Sequence, residues 1–110
     1  EERHLVALLA RYHRKAPPAR EHEEFMALRR RERSLVERLA ALLRLADALD
    51  RQHGAVVRGV GVKIREDCVE LRPMLAGDPG TRLTLEQKAV EEKGALFWQL
   101  FGRQIRLALP

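Results

Sequence analysis

The sequence predicts an α+β domain, an all-helical first half followed by a small ββαβ lobe. Three observations predict it. Apolar residues recur at helical spacing up to residue 51. The period then changes to two over residues 55–64. A capping sequence at Thr84 opens a further helix, which a last alternating stretch follows. The boundary falls at 52–55 and divides the chain into a helical segment, 1–53, and an α+β lobe, 54–110.

The first helix is read over residues 3–14. Leu5, Leu8, Leu9 and Tyr12 follow the i, i+3, i+4, i+7 pattern, and Pro17-Pro18 stops it. A helical turn is expected near residues 22–28. The strongest helix signal spans residues 32–51, where Leu35, Leu39, Leu42, Leu43, Ala46 and Leu49 fall on one broad apolar face. No Gly or Pro interrupts it, and Gly54 lies just past its end. Val56, Val60, Val62 and Ile64 then alternate, Arg65-Glu66-Asp67 reads as a turn, and residues 68–74 read as the return strand of a hairpin. Gly59 and Gly61 point to a bulge or a close backbone approach. Gly77-Asp78-Pro79-Gly80 is a loop. Thr84 reads as the N-cap of the next helix, with Gln87 at its third position. Ala89, Leu96, Phe97, Leu100 and Phe101 supply its apolar face, Gly102 closes it, and Ile105, Leu107 and Leu109 form a third strand. Trp98 lies on the same helix, which is read as a core element.

A chain of 110 residues is one domain's worth or two very small lobes, with a thin core at best. Its 45% hydrophobic content argues against general disorder. No apolar run approaches the roughly 20 residues a membrane span needs. The start, Glu1-Glu2-Arg3-His4, has no signal-peptide character. It also lacks Met, so the chain is expected to be a processed product or a piece of a longer protein. The single cysteine, Cys68, excludes an internal disulfide and a Cys-rich zinc site, and fits a reducing cytoplasm. Its expected role is small, buried and apolar.

Lys plus Arg is 21 against 16 for Asp plus Glu, and 17 of the 21 are Arg. The guanidinium fork matches phosphate oxygens, although a GC-rich genome also enriches Arg. The excess is spread over both halves, a mild general bias toward anionic partners rather than a basic arm.

Two clusters could carry chemistry. On a helical wheel Asp50 falls within the leucine arc of the long helix and Asp47 on its edge, near a helix C-terminus that disfavours negative charge. They read either as ion-paired or amide-bonded structural groups, as a metal or phosphate-linked site, or as solvated edge residues. Arg11-Tyr12-His13-Arg14-Lys15 ends the first helix. Its cations either complement the helix dipole or build an anion-binding corner. Arg29-Arg30-Arg31 and Arg33 form a second run, either a solvated helix start or a phosphate contact. No nucleotide-cradling Gly-rich loop occurs. Ser34, Thr81 and Thr84 have no nucleophile-elbow context. His4 and His13 are nine residues apart, on opposite faces of one helix, and cannot share a metal. With five aromatics, three of them on a core helix, nucleic acid is not an expected partner.

The segments Ala10-Arg-Tyr-His-Arg-Lys15 and Leu39-Ala-Ala-Leu-Leu-Arg-Leu-Ala-Asp-Ala-Leu-Asp-Arg-Gln-His53, with Lys93 and Leu96-Phe-Trp-Gln-Leu-Phe-Gly102, resemble the C-terminal region of the Ppx/GppA family of exopolyphosphatases and guanosine pentaphosphate phosphohydrolases. The resemblance covers nearly the whole chain, and the stretch Arg44-Leu-Ala-Asp-Ala-Leu-Asp-Arg51 is its most specific part. It implies a remnant of an HD-like helical domain over 1–53, beginning after that domain's start. It also implies a cytoplasmic accessory piece of a magnesium-dependent hydrolase that releases terminal phosphate from polyphosphate or pppGpp. Catalysis would lie in upstream domains, with no catalytic residue and no cofactor in this piece. The region would help form a basic passage for polyphosphate, carried here by Arg11, His13, Arg14, Lys15, Arg44 and Arg51, and would support a homodimer. Asp47 matches the later Asp of the HD metal set, but none of the four histidines precedes an Asp, so Asp47 and Asp50 are structural or vestigial. The alternatives are a metal-dependent HD-type phosphohydrolase in its own right, or a basic binding module with no enzyme attached. A cut start would also leave apolar helix faces open to pairing between copies.

Overall fold

The computed structural model describes residues 2–13, 16–50, 56–77 and 83–108. Its elements are α1 (Glu2–Tyr12), α2 (Glu23–Met26), α3 (Arg30–Leu49), β1 (Val57–Ile64), β2 (Cys68–Leu75), α4 (Thr84–Phe101) and β3 (Gln104–Leu107). The protein is therefore an α+β domain in which β1, β2, α4 and β3 form the expected ββαβ unit. Gly54 and Leu109 lie outside the described residues. Among the described residues, no helix is long and apolar enough to cross a membrane.

α3 is the central element. Its interior of Leu, Ala, Arg and Glu holds strong helix formers. At its start the Glu32 carboxylate accepts the Arg29 backbone N–H at 3.1 Å, one half of a capping box. α1 and α2 pack on one stretch of it: Leu8, Tyr12, Phe25 and Leu28 enclose Val36, Ala40 and Ala41, and Leu96 of α4 joins them. Further along, Leu45 and Ala48 meet Ala89 and Val90 of α4, with Ile105 of β3 against them. The core thus runs along α3 from α1 to the sheet.

The broad leucine face of α3 does not enter that core. Leu35 is 45% exposed, Leu42 is 50% exposed, and Leu39, Leu43 and Ala46 are exposed with them. The buried residues are instead Val36, Ala40, Ala41, Arg44, Leu45 and Ala48, roughly half a turn away around the helix. α3 has two apolar faces, and the one made of small side chains is inside. Alanine lets two helix backbones come close, so α4 and α1 pack against the alanines. The radius of gyration, 15.0 Å, exceeds the roughly 13 Å of a compact chain this long, in keeping with a core only one helix deep.

The sheet runs in the order β1-β2-β3. β1 and β2 pair antiparallel through a tight turn closed by the Arg65 N–H to Cys68 O bond of 2.8 Å. β3 returns after α4 and lies parallel to β2, Val69 opposite Ile105 and Leu71 opposite Leu107. Alternation places Val69, Leu71, Pro73, Ile105 and Leu107 on one face and Glu70, Arg72, Met74, Gln104 and Arg106 on the other. The register slips between Val57 and Gly59, which is the bulge expected of the β1 glycines. There a Cβ on Gly59 would lie 2.6 Å from the Met74 methyl carbon. Cys68 is buried, as expected of it.

Two further expectations are corrected at α4. The helix begins at Thr84, so Leu83 occupies the N-cap and no side chain caps it. Thr84 is already helical, and its hydroxyl does not hold the first turn. Trp98 is 54% exposed rather than buried, because the face of α4 turned to α3 is set by Ala89, Val90, Leu96 and Phe97. Phe101 is also exposed and leans on the Phe97 ring, centroids 4.5 Å apart. Gly102 ends the helix at φ 69°, its N–H bonded to Trp98 O at 2.8 Å, a left-handed cap that glycine adopts at low cost.

The two faces of α3 differ in what they tolerate. Ala40→Leu is expected to destabilise the fold by about 1–3 kcal/mol through overpacking. In the monomer, at low protein concentration, Leu42→Ala is expected to change it by about 0.5 kcal/mol or less, as an exposed substitution does. Urea unfolding followed by circular dichroism measures both. The reverse order of effects would mean that the leucine face is the buried one.

Candidate functional site

The C-terminal end of α1 is where the structure gathers the largest share of the expected anion-binding residues. Leu8 and Tyr12, one turn apart, anchor the end of α1 on α3. Tyr12 is fully buried. Its hydroxyl is hydrogen-bonded to His22 Nδ1 at 2.7 Å, and its ring stacks on that imidazole and meets the Phe25 ring edge-on. Burial pushes the phenol pKa up, Arg11 pulls it the other way, and Glu24 adds to the rise.

Arg44 reaches this end from α3. It is only 8% exposed, and its Nη1 donates to Tyr12 O at 3.0 Å, satisfying a carbonyl of the last turn of α1. A guanidinium at a helix C-terminus also meets the negative end of the dipole. Desolvation by burial lowers its pKa. Arg44 therefore works from inside as a tie between α3 and α1, not as a surface cation.

Arg11 and His13 flank Tyr12 at this end of α1. Arg11 is exposed, its guanidinium carbon 5.3 Å from the centre of the Tyr12 ring, a cation–π distance. His13 is half-buried and donates Nδ1–H to Ala10 O at 2.7 Å, which fixes the ring at the helix end. Arg14, Lys15 and Arg51, the other expected cations, lie outside the described residues.

The two carboxylates sit at the far end of α3. Asp47 is half-buried and Asp50 is exposed. Asp50 lies in the leucine arc as expected, but that arc faces outward, so its position carries no burial. Its N–H closes the helix on Asp47 O at 3.2 Å. Among the described residues no group of three or more His, Cys, Asp or Glu is placed to hold a metal. His4 is exposed, His22 is engaged with Tyr12, and His53 lies outside the described residues.

The second basic run divides. Arg29, Arg30 and Arg31 are exposed at the start of α3. Arg33 turns back, its Nη1 donating to Leu28 O at 2.6 Å and Met26 O at 3.3 Å, and so fastens the α2 turn to α3. Arg30 and Arg33 share an open cleft of about 360 Å³ with Arg20, Ser34 and Glu37. The Arg29 N–H holds the Glu32 carboxyl below the usual glutamate range.

One cationic group escaped sequence reasoning. Glu70 of β2 accepts from Arg65, whose Nε and Nη2 are each 3.2 Å from Oε2, and from Arg72 Nε, 3.2 Å from Oε1. The Arg65 hydrogen bond, above all, holds its pKa below the usual glutamate range; desolvation opposes it, and the Arg72 hydrogen bond and the charges of both arginines add to the lowering. The period-two alternation of β2 and β3 was the available signal, but the pairing of β3 beside β2 was not readable from it. No family model matches this chain, and no curated protein matches it.

The Arg44 tie has a measurable consequence. Arg44→Met, close in length, leaves Tyr12 O without that donor and is expected to cost about 1–3 kcal/mol. Arg44→Lys is expected to cost less. Denaturant midpoints decide it, and an unchanged Met variant would show that the tie contributes nothing.

Proposed function

We propose that this chain is a C-terminal accessory domain of an exopolyphosphatase-like hydrolase, binding polyphosphate and carrying a dimer contact. The parent enzyme would release terminal phosphate from polyphosphate or pppGpp with magnesium, in domains outside this chain, in the cytoplasm. The observation that carries the reading is the end of α1, where exposed Arg11 and half-buried His13 flank the buried Tyr12 that Arg44 ties to α3. The Ppx/GppA resemblance implies a polyphosphate role for Arg11 and His13.

Physically, such a module raises the local concentration of a polyanion. Arg side chains meet non-bridging phosphate oxygens through paired N–H donors, and a positive surface speeds encounter. The overall charge of +5 adds to both. Neither needs a catalytic group in this piece.

Linear polyphosphate titrated into the full chain by calorimetry tests the reading. Binding is expected at low salt, with steep weakening as salt rises. Arg11→Glu is expected to weaken it about tenfold or more, the scale of a lost charge-assisted contact. Salt-independent binding, or none, would remove the polyphosphate role.

The dimer contact falls on the leucine face of α3. Leu35, Leu39, Leu42, Ala46 and Leu49 follow alternating spacings of four and three, the pattern of a two-helix seam. Arg29, Arg30 and Arg31 stand at one end of the helix and Asp47 and Asp50 at the other. Antiparallel pairing of two copies sets unlike ends side by side. Sedimentation equilibrium is expected to give a dimer for the wild type and a monomer for the double variant Leu39→Glu, Leu42→Glu. A wild-type chain that stays monomeric at high concentration would sink the dimer.

A further inference from the structure

The sheet face turned away from α4 carries a second cationic cluster. Opposed residues in neighbouring strands share a face. Lys63 of β1 is opposite Glu70 of β2, and Glu70 is opposite Arg106 of β3. The three form one row across the sheet, with strands about 4.8 Å apart. Arg72 lies two residues along β2 on the same face, and Arg65 stands at the β1–β2 turn. Arg103 reaches in from beyond α4, its Nε donating to Arg65 O at 3.2 Å. Five cations thus lie on or beside this face, Arg65 and Arg72 bonded to Glu70, with Glu66 and Asp67 in the turn as further carboxylates.

Glu70 organises this surface rather than cancelling it. It engages the Nε and Nη2 of Arg65 and the Nε of Arg72, which orients both planar groups. Among the described residues Lys63 and Arg106 make no ion pair, and both are exposed. Gly59 and Gly61 lie on the same face and raise no side chain over it. Beside the row opens a cleft of about 450 Å³ lined by Arg65, Cys68, Glu70, Arg106, Leu107 and Ala108.

We propose that this outer sheet face binds the phosphates of an inorganic polyphosphate chain, as a second contact separate from the α1 corner. The inference rests on the polyphosphate reading above. Cations on successive strands offer donors at short, regular intervals to a flexible chain that carries charge on every unit. No aromatic side chain lies on this face in β1, β2 or β3, so it has no platform for stacking bases. That favours a chain of phosphates alone over a single-stranded nucleic acid.

The test is calorimetric titration of the full chain with linear polyphosphate at several salt concentrations. The wild type is compared with the double variant Lys63→Ser, Arg106→Ser and with Arg11→Glu. Both sheet residues are exposed, and circular dichroism verifies that the double variant is folded. The double variant is expected to bind about tenfold more weakly, the scale of lost charge-assisted contacts. The magnitude of its log–log salt slope is expected to fall by about 1–2. If Arg11→Glu weakens binding and the double variant does not, the sheet site is overturned while the polyphosphate reading stands. If the wild type binds no polyphosphate, both fall. If single-stranded DNA at equal phosphate displaces polyphosphate through Lys63 and Arg106, the face is a nucleic-acid surface and the assignment is overturned.

Discussion

Everything in this structure hangs on the close approach of α3 to its neighbours through alanine. Ala40, Ala41 and Ala48 are fully buried, and Ala89 of α4 is nearly so. Small side chains bring the helix backbones together, and the larger residues then fill the flanks: Leu8, Tyr12 and Phe25 at one end, Leu45 and Val90 at the other. Because α4 is held against α3, β3 is placed where Ile105 reaches the second part of the core. The sheet therefore inherits its position from the helix pair.

The same constraint separates internal cations from external ones. Arg44 lies on the buried face of α3, so its guanidinium turns to the end of α1 and is desolvated. Arg33 is likewise drawn to backbone carbonyls at the α2 turn. Among the described residues, the cations left toward solvent include Arg11 at the corner, those at the start of α3 and those on the outer sheet face. An arginine count alone does not distinguish a tie from a binding group; the difference is whether a carbonyl or a carboxylate of the protein already occupies the fork. Glu70 shows an intermediate state, in which one carboxylate orients two arginines and leaves the surface positive.

Part of the candidate site was legible in the chain. Arg11 and His13 follow directly from the end of the first amphipathic pattern, and helix spacing suffices to place them. The burial of Arg44 was not legible, because it depends on which side of α3 meets α1. Asp50 shows the same limit: its place in the leucine arc is a matter of periodicity, but whether that arc is dry is a matter of what covers it. Lys63, Arg72 and Arg106 are far apart in sequence and become neighbours only through strand register. That register includes a parallel pairing made after an 18-residue helix.

The sequence by itself determined the order and type of the elements, the β1 bulge, the Gly102 stop and the buried cysteine. Each of these is set locally, by side-chain period, backbone freedom or size. Tertiary structure alone decided which apolar face of α3 is inside. Both faces have helical period, and hydrophobicity favours the leucines. Burial, however, goes to the face that another helix can reach, and alanines permit a closer approach than leucines do. The exposure of Trp98 and the internal role of Arg44 follow from that packing, and the gathering of cations on the sheet from strand register; no local pattern encodes either.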